Sequence, residues 1–567
     1  MQKFKSRKFL AIALAVVMTL SLSITAFAAW PSFQSNRWNN GLITNGTPPI
    51  TQPALVNSVG LSTNNPTGNV YSGIDNATVM NTVGGVTTAY TLYNGGVRNG
   101  NLGGARLAIT DVASGSVHNI MVDPDANNVA QLSTPYLNTT TNNLYAATTR
   151  YIDILNKGTT SIATGIHSMT ATIVIPSDYW EPTITFTFPN FVNATGFSAS
   201  ATLGGAYTFT NGYFNTPTGG TSYTIYYDGV QRIPAGTYTL TITTNNTSGA
   251  TLSASHISFL VSAWKFWRIN VGAATPTVTQ IGTGYGQANT HIDYYADTNF
   301  VFFGIYEGDR SYYLYNQGTS TLVRFNAQDD FYWAGAYQQR LTGNGEVFFG
   351  SDDGKLYIKD PTNFASGTGT IVDLKTIVSD AGKVRSTVMA LESGTGYAYF
   401  TSTGTGNHGY LWRIDLSTVA SGHPVLTYVQ ISLSNASVSS TTTPVISNNI
   451  VYVGANGYQT TAPYAAAGAV QAFNATTLAK VVDVYVGDPV QASPIVYASS
   501  PWNYVYFTTN SSTGAGYCYR HNWNSTVVQS IWTAGGTSSN RYAVQGFSAD
   551  NGYLVYGDDG NNLYIMH

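Results

Sequence analysis

A strand–turn–strand pattern recurs along this chain at a nearly fixed interval. Each copy has an apolar strand that ends in a small residue, a turn rich in Gly, Asn and Asp, and a second apolar strand. The small residues at the end of the first strand are 46, 51, 53, 54 and 49 residues apart: Gly304, Gly350, Thr401, Gly454, Thr508 and Gly557. A repeat of this length is typical of solenoids, propellers and arrays of small units.

The repeats are built from β-strands. Short stretches rich in Val, Ile, Thr, Tyr and Phe lie between clusters of Gly, Asn, Asp and Ser, and helical periodicity is almost absent. Residues 349–358 closely parallel residues 556–565, with Asp-Asp-Gly between two apolar strands in each copy. Asp-Gly at that position predicts a tight hairpin, because such turns need residues with positive φ. The aspartates of these turns are interpreted as turn residues, and calcium binding is the alternative.

One copy is interrupted by additional chain. Residues 143–147 read as the third strand of a copy, and Trp264–Asn270 read as its fourth strand. Ala146 and Gly304, the equivalent small residues of two successive copies, are 158 residues apart, which leaves roughly 108 extra residues once a period of about 50 is subtracted. The alternating stretches 183–188 and 237–243 predict that this segment is itself all-β. About eight short strands over that length are typical of a sandwich of jelly-roll or immunoglobulin-like type.

These observations predict an all-β protein, an eight-bladed β-propeller with a β-sandwich or jelly-roll domain inserted in an early blade. Without the insertion, each blade has roughly 54 residues for eight blades and roughly 62 for seven, so seven is the alternative. The predicted boundaries are a signal peptide at 1–28, the N-terminal blades at 29–151, the inserted sandwich at 152–262 and the remaining blades at 263–567. A strand near 54–61 is expected to close the ring against the last copy.

The N-terminal residues and the composition predict export. Four basic residues precede the apolar run 9–22, and Ala26-Phe27-Ala28 has the pattern of a signal-peptidase site. Without that segment, 20 basic residues stand against 27 acidic ones, which argues against nucleic acid as a partner. No later stretch is apolar enough to predict a membrane span. We therefore expect a secreted or cell-surface protein.

Several copies end in a strand that carries a family resemblance. Residues 411–415 read Leu-Trp-Arg-Ile-Asp, and the segment 468–480 contains Ala472, Phe473, Asn474, Ala475 and Thr477. These residues, and the stretch 30–34, resemble the bacterial quinoprotein-like (PQQ-like) β-propeller repeat family. The resemblance implies a propeller, and many members of that family hold no cofactor.

Enzymes of the resembled family place two adjacent cysteines against the quinone. This chain has a single cysteine, Cys518, so that pair is absent and we expect no redox cofactor. Calcium is the one metal for which the sequence offers a candidate site. Asp123, Asp125 and Asn127 have the alternating oxygen ligands of a calcium loop, but Asn128 and Thr134 stand where such a loop has glycine and glutamate. An ordinary turn is the alternative reading.

Aromatic residues near turns of the insertion are the candidate ligand-binding residues. Aromatic rings stack on sugar rings, and neighbouring amides and carboxylates bind hydroxyl groups. The alternative is that these rings are core or strand-face residues. The candidates are Tyr179, Trp180, Tyr213, Phe214, Tyr226, Tyr227 and Asp228.

The sequence predicts a non-catalytic extracellular scaffold that binds glycan, another cell-surface polymer or protein. Two alternatives remain. The first is a self-assembling structural subunit of a surface layer or filament, because low charge and free sheet edges suit self-association. The second is a quinone-dependent or glycan-cleaving enzyme, for which no catalytic residue can be assigned from the sequence.

Overall fold

In the computed structural model, the regular structure of the protein consists almost entirely of β-strands, most of them antiparallel. The structure describes residues 42–43, 55–61, 74, 76–94, 97–98, 101–102, 104–126, 132–155, 161–162, 165–227, 229, 231–288, 290–295, 299–326, 337–339, 346–365, 369–390, 396–433, 436–456, 468–486, 489–499, 502–509, 517–522, 528–533, 546–558 and 562–567. The predicted signal peptide, Asn127 and Asp228 lie outside these residues. Within them, the helices are five 3-10 segments: Ala254–His256, Pro361–Asn363, Leu374–Thr376, Thr405–Asn407 and Leu416–Ser421. No helix in this described part is long and apolar enough to cross a membrane.

The chain begins with two strands that join sheets formed near its other end, β1 (Leu42–Ile43) and β2 (Leu55–Gly60). The next six strands are β3 (Val79–Val83), β4 (Val86–Asn94), β5 (Val97–Arg98), β6 (Asn101–Leu102), β7 (Ala105–Asp111) and β8 (Val117–Asp123). Strands β3, β4, β7 and β8 form a four-stranded sheet, and β5 pairs with β6 in a small hairpin.

A ten-stranded sheet follows. The strands of this region are β9 (Tyr136–Asn138), β10 (Asn143–Asp153), β11 (Ser161–Ile162), β12 (Gly165–Ile175), β13 (Thr183–Asn193), β14 (Phe197–Leu203), β15 (Tyr207–Thr216), β16 (Gly219–Tyr227), β17 (Gly236–Asn246), β18 (Leu252–Ser253), β19 (Ile257–Asn270) and β20 (Thr277–Tyr285). Their order in the sheet is β12-β17-β14-β15-β16-β13-β19-β10-β9, with β20 also paired to β19. Strands β11 and β18 pair separately.

The remaining strands form five meanders and one sheet completed by the N-terminus. They are β21 (Asp293–Tyr295), β22 (Phe300–Gly304), β23 (Ser311–Asn316), β24 (Thr321–Asn326), β25 (Tyr337–Gln339), β26 (Glu346–Gly350), β27 (Lys355–Lys359), β28 (Thr370–Asp373), β29 (Met389–Ala390), β30 (Tyr397–Thr403), β31 (Gly409–Asp415), β32 (Val425–Leu433), β33 (Ala436–Ser437), β34 (Val445–Ser447), β35 (Ile450–Asn456), β36 (Gly468–Asn474), β37 (Lys480–Tyr485), β38 (Ile495–Ser499), β39 (Trp502–Thr509), β40 (Tyr517–Asn522), β41 (Val528–Thr533), β42 (Ser548–Asp550), β43 (Tyr553–Gly557) and β44 (Asn562–Met566). Strand β1 joins β38, and β2 joins β44.

The sheets have a propeller arrangement, but the number of blades differs from the predicted eight or seven. Six blades are detected in the described part of the chain, each a meander of strands that succeed one another along the chain, interrupted only by the β5–β6 hairpin in the first. Two further groups of strands are not built in this simple way. One, β9-β10-β19-β20, is divided by the inserted strands, and the other, β42-β43-β44-β2, takes its last strand from the N-terminus.

The insertion also differs from its prediction. Counted from β9, it separates the second and third strands of its sheet, β10 and β19, and not the third and fourth as predicted. The predicted two-sheet sandwich is not shown, because β12 to β17 are hydrogen-bonded with β19 in one continuous sheet. That sheet is strongly curved. Phe209 on β15 and Phe259 on β19 are three strands apart in the sheet order, roughly 14 Å in a flat sheet, yet their ring centroids are 5.8 Å apart.

The hydrophobic cores lie between successive sheets. Phe349 of β26, for example, stacks on Tyr312 of β23 in the preceding sheet, with ring centroids 4.2 Å apart. Another core contains Trp264 and Phe303, which come from the interrupted sheet and the sheet after it. The small residues that end the second strands fit this packing, since a Cβ on Gly350 would collide with Val384 and one on Gly557 with Ile74.

The two ends of the chain meet as predicted. Strand β2 pairs antiparallel with β44, so the N-terminal strand supplies the outer strand of the last sheet. Contacts then continue to the first blade: the Thr82 hydroxyl donates to Asp550 at 2.7 Å, and the Ile74 amide donates to the Asp558 carbonyl at 3.1 Å. These contacts cover the sides on which the last sheet and the first blade face each other.

Candidate functional site

The structure places the predicted aromatic residues in two different environments. The rings of Tyr179, Trp180, Phe214 and Tyr227 are buried in the protein and do not form a surface on which a sugar could stack. Tyr213 is 53% exposed and Tyr226 is 36% exposed. The exposed candidates of the set are therefore this pair of tyrosines.

Tyr213 and Tyr226 lie side by side on neighbouring strands. Their ring centroids are 6.2 Å apart with an interplanar angle of 60°, an edge-to-face arrangement. Tyr213 is opposite Thr224 in the register of β15 and β16, and Tyr226 is opposite Asn211, next to a β-bulge at Phe209 and Asn211. The register from Asn211 to Tyr213 is regular, so Tyr213 and Tyr226 are diagonal neighbours on one face of the two strands.

The three strands around the tyrosine pair are rich in hydroxyl groups and carry no charged side chain. Thr183 is opposite Tyr226 on the other side of β16, and the next pair, Thr185 and Thr224, are joined by a hydroxyl–hydroxyl hydrogen bond of 3.2 Å. The strands β13, β15 and β16 contain no Asp, Glu, Lys or Arg. This outer face, with Tyr213, Tyr226, Thr183, Thr185 and Thr224, is called the tyrosine face below.

At the predicted calcium loop, a lysine joins the two carboxylates. The Lys265 Nζ atom is 2.9 Å from Asp123 Oδ1 and 2.8 Å from Asp125 Oδ2, and Arg150 approaches Asp125 at 3.4 Å. The hydrogen bond from Lys265 holds the pKa of Asp125 below its ordinary value. In the described part of the chain, no three His, Cys, Asp or Glu residues are grouped closely enough to hold a metal ion.

A second cluster lies where the insertion contacts the turn after β22, and sequence reasoning missed it. Trp180 and Gly308 exchange two backbone hydrogen bonds, at 3.0 and 3.3 Å. The guanidinium carbon of Arg310 lies 4.0 Å from the Trp180 ring centroid, and Arg310 also donates to Glu181 at 2.6 Å. The cation over the ring and the ion pair together fix the insertion against the propeller.

Asp309 is the buried carboxylate of this junction. Its Oδ2 atom accepts a 2.6 Å hydrogen bond from the Tyr313 hydroxyl, and its backbone carbonyl accepts from Arg232 at 2.9 Å. Burial raises the pKa of Asp309 to about 6, although the Tyr313 hydrogen bond and the charges of Arg324 and Arg232 act in the opposite direction. The carboxyl is buried and accepts from Tyr313, so its observed role is a contact within the junction.

The backbone of the same turn is strained. Glu307 and Arg310 have φ values of 55° and 44°, in the left-handed region that side chains other than glycine rarely adopt. Gly308 lies against Gly286, where an added Cβ would meet the Gly286 Cα atom. The surrounding contacts hold this conformation, including the 2.8 Å hydrogen bond from Gln287 to Glu307.

One sequence signal could have located the junction. Charged residues make up 9% of the chain, yet three of the four residues 307–310 are charged. Such a local concentration in a charge-poor chain indicates a specific set of partners. The partners themselves, Trp180 and Arg232, are far away in the sequence and could not have been assigned to it.

Comparisons with known proteins identify no family for this chain. No family model matches it, and no curated protein matches its sequence. Among solved structures, it is similar to a europium-containing methanol dehydrogenase, with 9% identity, a TM-score of 0.40 and coverage of 95% of this chain and 98% of that one. It is also similar to Sqt1 of Saccharomyces cerevisiae, with 12% identity, a TM-score of 0.33 and coverage of 54% of this chain and 91% of that one. The part of the predicted family resemblance that the structure shows is the propeller arrangement.

Proposed function

We propose that this protein is a secreted, non-catalytic extracellular scaffold, an eight-bladed propeller whose inserted domain binds a neutral glycan through the tyrosine face. Relationship to the quinoprotein-like propellers and export are parts of the same proposal. The observation that carries the binding role is the exposed edge-to-face pair of Tyr213 and Tyr226 on an uncharged surface.

Contacts between equivalent positions of successive sheets support eight blades. At the start of three sheets, a backbone amide donates to a hydroxyl of the next sheet. Ala77 donates in this way to Thr134 at 3.1 Å, Thr387 to Thr443 at 3.0 Å, and Thr443 to Ser493 at 2.9 Å. Because Thr134 precedes β9 of the interrupted sheet, that sheet receives the same contact as the uninterrupted blades that begin at β34 and β38. Counting it and the closing sheet gives eight.

The chemistry of the tyrosine face suits a sugar. A pyranose ring has apolar C–H faces that pack on aromatic rings, and hydroxyl groups at its edges that need hydrogen-bond partners. Tyr213 and Tyr226 supply the rings, while Thr185 and Thr224 supply hydroxyls a few ångströms away. The absence of charge on the three strands favours a neutral ligand over an anionic one.

The test is capture by insoluble cell-wall and plant polysaccharides, using purified residues 29–567. The variant is Tyr213→Ala with Tyr226→Ala, and we expect it to lose about tenfold or more in affinity, which corresponds to about 1.4 kcal/mol. Phe191→Ala is the matched control. Phe191 is 59% exposed but lies eight residues along β13 from Thr183, roughly 27 Å away.

Each result decides a separate point. Loss of capture in the double variant, with Phe191→Ala unchanged, supports the tyrosine face as the binding site. Equal capture by wild type and double variant places the site elsewhere. No capture by the wild-type protein on any polysaccharide rejects glycan binding and favours a protein partner.

A further inference from the structure

The ten-stranded sheet ends in a long strand with an open edge. Strand β12 is the first in the sheet order and pairs with β17 over eleven residues, from Gly165 to Ile175. In the described part of the chain, no strand lies on its other side. An open edge presents unpaired backbone N–H and C=O groups, which can pair with a further strand.

The sequence of this edge strand lacks the proline and the charged residues with which proteins often block such pairing. The sequence of β12, GIHSMTATIVI, contains no proline and no Lys, Arg, Asp or Glu. Ile166 is 77% exposed and is the most exposed large hydrophobic residue in the described part of the chain, and Val174 is 57% exposed. The opposite face is incompletely covered as well, since Met169 and Ala171 are only partly buried against the core of the insertion.

The residues on the exposed face of β12 match their own sequence in reverse. Taken about Thr170, Ile166 corresponds to Val174 and Ser168 to Thr172, and all of these lie on the exposed face. On the other face, Met169 corresponds to Ala171, Gly165 to Ile175 and His167 to Ile173. On the exposed face, aliphatic residues are thus opposite aliphatic residues, and hydroxyls are opposite hydroxyls. Pairs of this kind stabilise neighbouring antiparallel strands.

We propose that β12 pairs antiparallel with β12 of a second copy of this chain, with the two-fold axis at Thr170. A two-fold interface requires a self-complementary surface, and this strand has one. Moving the axis by two residues, to Ser168 or Thr172, places Ile166 or Val174 opposite the Thr170 hydroxyl and leaves the other aliphatic residue without its match. The paired edges make one sheet that continues through both copies.

This inference does not rest on the glycan proposal, since it concerns backbone pairing at β12 and not the tyrosine face. A dimer would nevertheless carry two tyrosine faces on one rigid sheet. Two linked sites bind a polymer more tightly than one site does, because the second contact is intramolecular. Loss of the dimer should therefore weaken polymer capture without changing binding of a short oligosaccharide.

Sedimentation equilibrium of purified residues 29–567 tests the pairing through charge. Ile166→Lys with Val174→Lys places two lysines opposite each other at both ends of the paired edge, and we expect a monomer. Ile166→Lys with Val174→Glu places each lysine opposite a glutamate, and we expect a dimer. The control, Val83→Lys with Val86→Lys, changes residues that are 67% and 54% exposed on another hairpin, and it should leave the dimer unchanged.

A disulfide tests the position of the axis in a Cys518→Ser background. Directly opposite residues have Cα atoms about 4.5–5.5 Å apart, within reach of a disulfide. Thr170→Cys should therefore form a cross-linked dimer on mild oxidation. Thr172→Cys should not, since its two copies would be roughly 13 Å apart along the strands. A monomeric wild type, a dimer that survives the double lysine change, or equal cross-linking at both positions would overturn the proposal.

Discussion

Replacing Asp309 by asparagine should remove a pH-dependent penalty from the folded protein. Burial raises the pKa of Asp309 from 3.8 to about 6 in the folded state. An acid with a raised folded pKa keeps its proton in the folded chain at pH values where the unfolded chain has lost it. The free energy of unfolding therefore falls as the pH rises from about 4 to about 6, and this contribution is constant above that range.

The size of the effect follows from the shift. A difference of about two pKa units corresponds to about 3 kcal/mol of unfolding free energy. The asparagine side chain keeps an oxygen that can accept from Tyr313, so the variant removes the titration while preserving a hydrogen-bond acceptor. We expect the stability of Asp309→Asn relative to wild type to increase by about 3 kcal/mol between pH 4 and pH 7.

Urea unfolding followed by tryptophan fluorescence, at several pH values between 4 and 8, measures this difference. Asp353→Asn is the matched control, because Asp353 accepts a 2.7 Å hydrogen bond from Tyr357 four residues later, as Asp309 does from Tyr313. The pH-dependent change in the free energy of unfolding that Asp309→Asn shows and Asp353→Asn does not show is assigned to the buried junction. A difference between variant and wild type that does not change with pH would refute the argument, and so would one of opposite sign.

Two further changes test the closure of the ring and the predicted calcium loop. Thr82→Val removes the hydroxyl that donates to buried Asp550 and should lower the free energy of unfolding by about 1–3 kcal/mol, measured by urea unfolding; an unchanged value would show that this contact does not hold the ends together. Lys265→Met removes the ammonium shared by Asp123 and Asp125 and should cost roughly 3 kcal/mol at neutral pH. If the loop binds calcium, titration calorimetry should show tighter binding to this variant than to wild type, and equal heats would argue for a plain turn.

The repeat made the architecture predictable, because each copy carries its own strands and turns in sequence. The position of the insertion was harder to assign. Residues 143–147 and 264–270 read correctly as neighbouring strands, but their place within the sheet depends on β9 and β20. Strand β9 has only three residues, and β20 has no buried residue, so neither leaves a strong apolar pattern. A sheet that curves around one core also has the same alternating pattern as a sandwich.

The candidate aromatic residues show what strand periodicity can decide. Successive side chains of a strand point to opposite faces, so Tyr213 and Phe214 could not both be exposed, and the same holds for Tyr226 and Tyr227. The structure gives one exposed ring in each of these pairs. Which ring is exposed depends on the register and on the bulge at Asn211, which are tertiary properties. No strand alternation applies to Trp180, whose ring is covered by Arg310.

The use of hydroxyl groups in place of charges connects the propeller with its candidate binding surface. Along the ring, hydroxyls such as Ser386 both accept from and donate to the backbone of Thr401 in the neighbouring strand, at 2.8 and 3.0 Å. These contacts are neutral and are little affected by salt, whereas interactions between exposed charges are screened. The junction around Asp309 and Arg310 is the contrasting case, since its ion pair and buried carboxylate make it sensitive to pH. We therefore expect a change in pH between about 4 and 6 to act on the attachment of the insertion through Asp309, while the hydroxyl contacts of the ring and of the tyrosine face, which do not titrate in that range, keep their geometry.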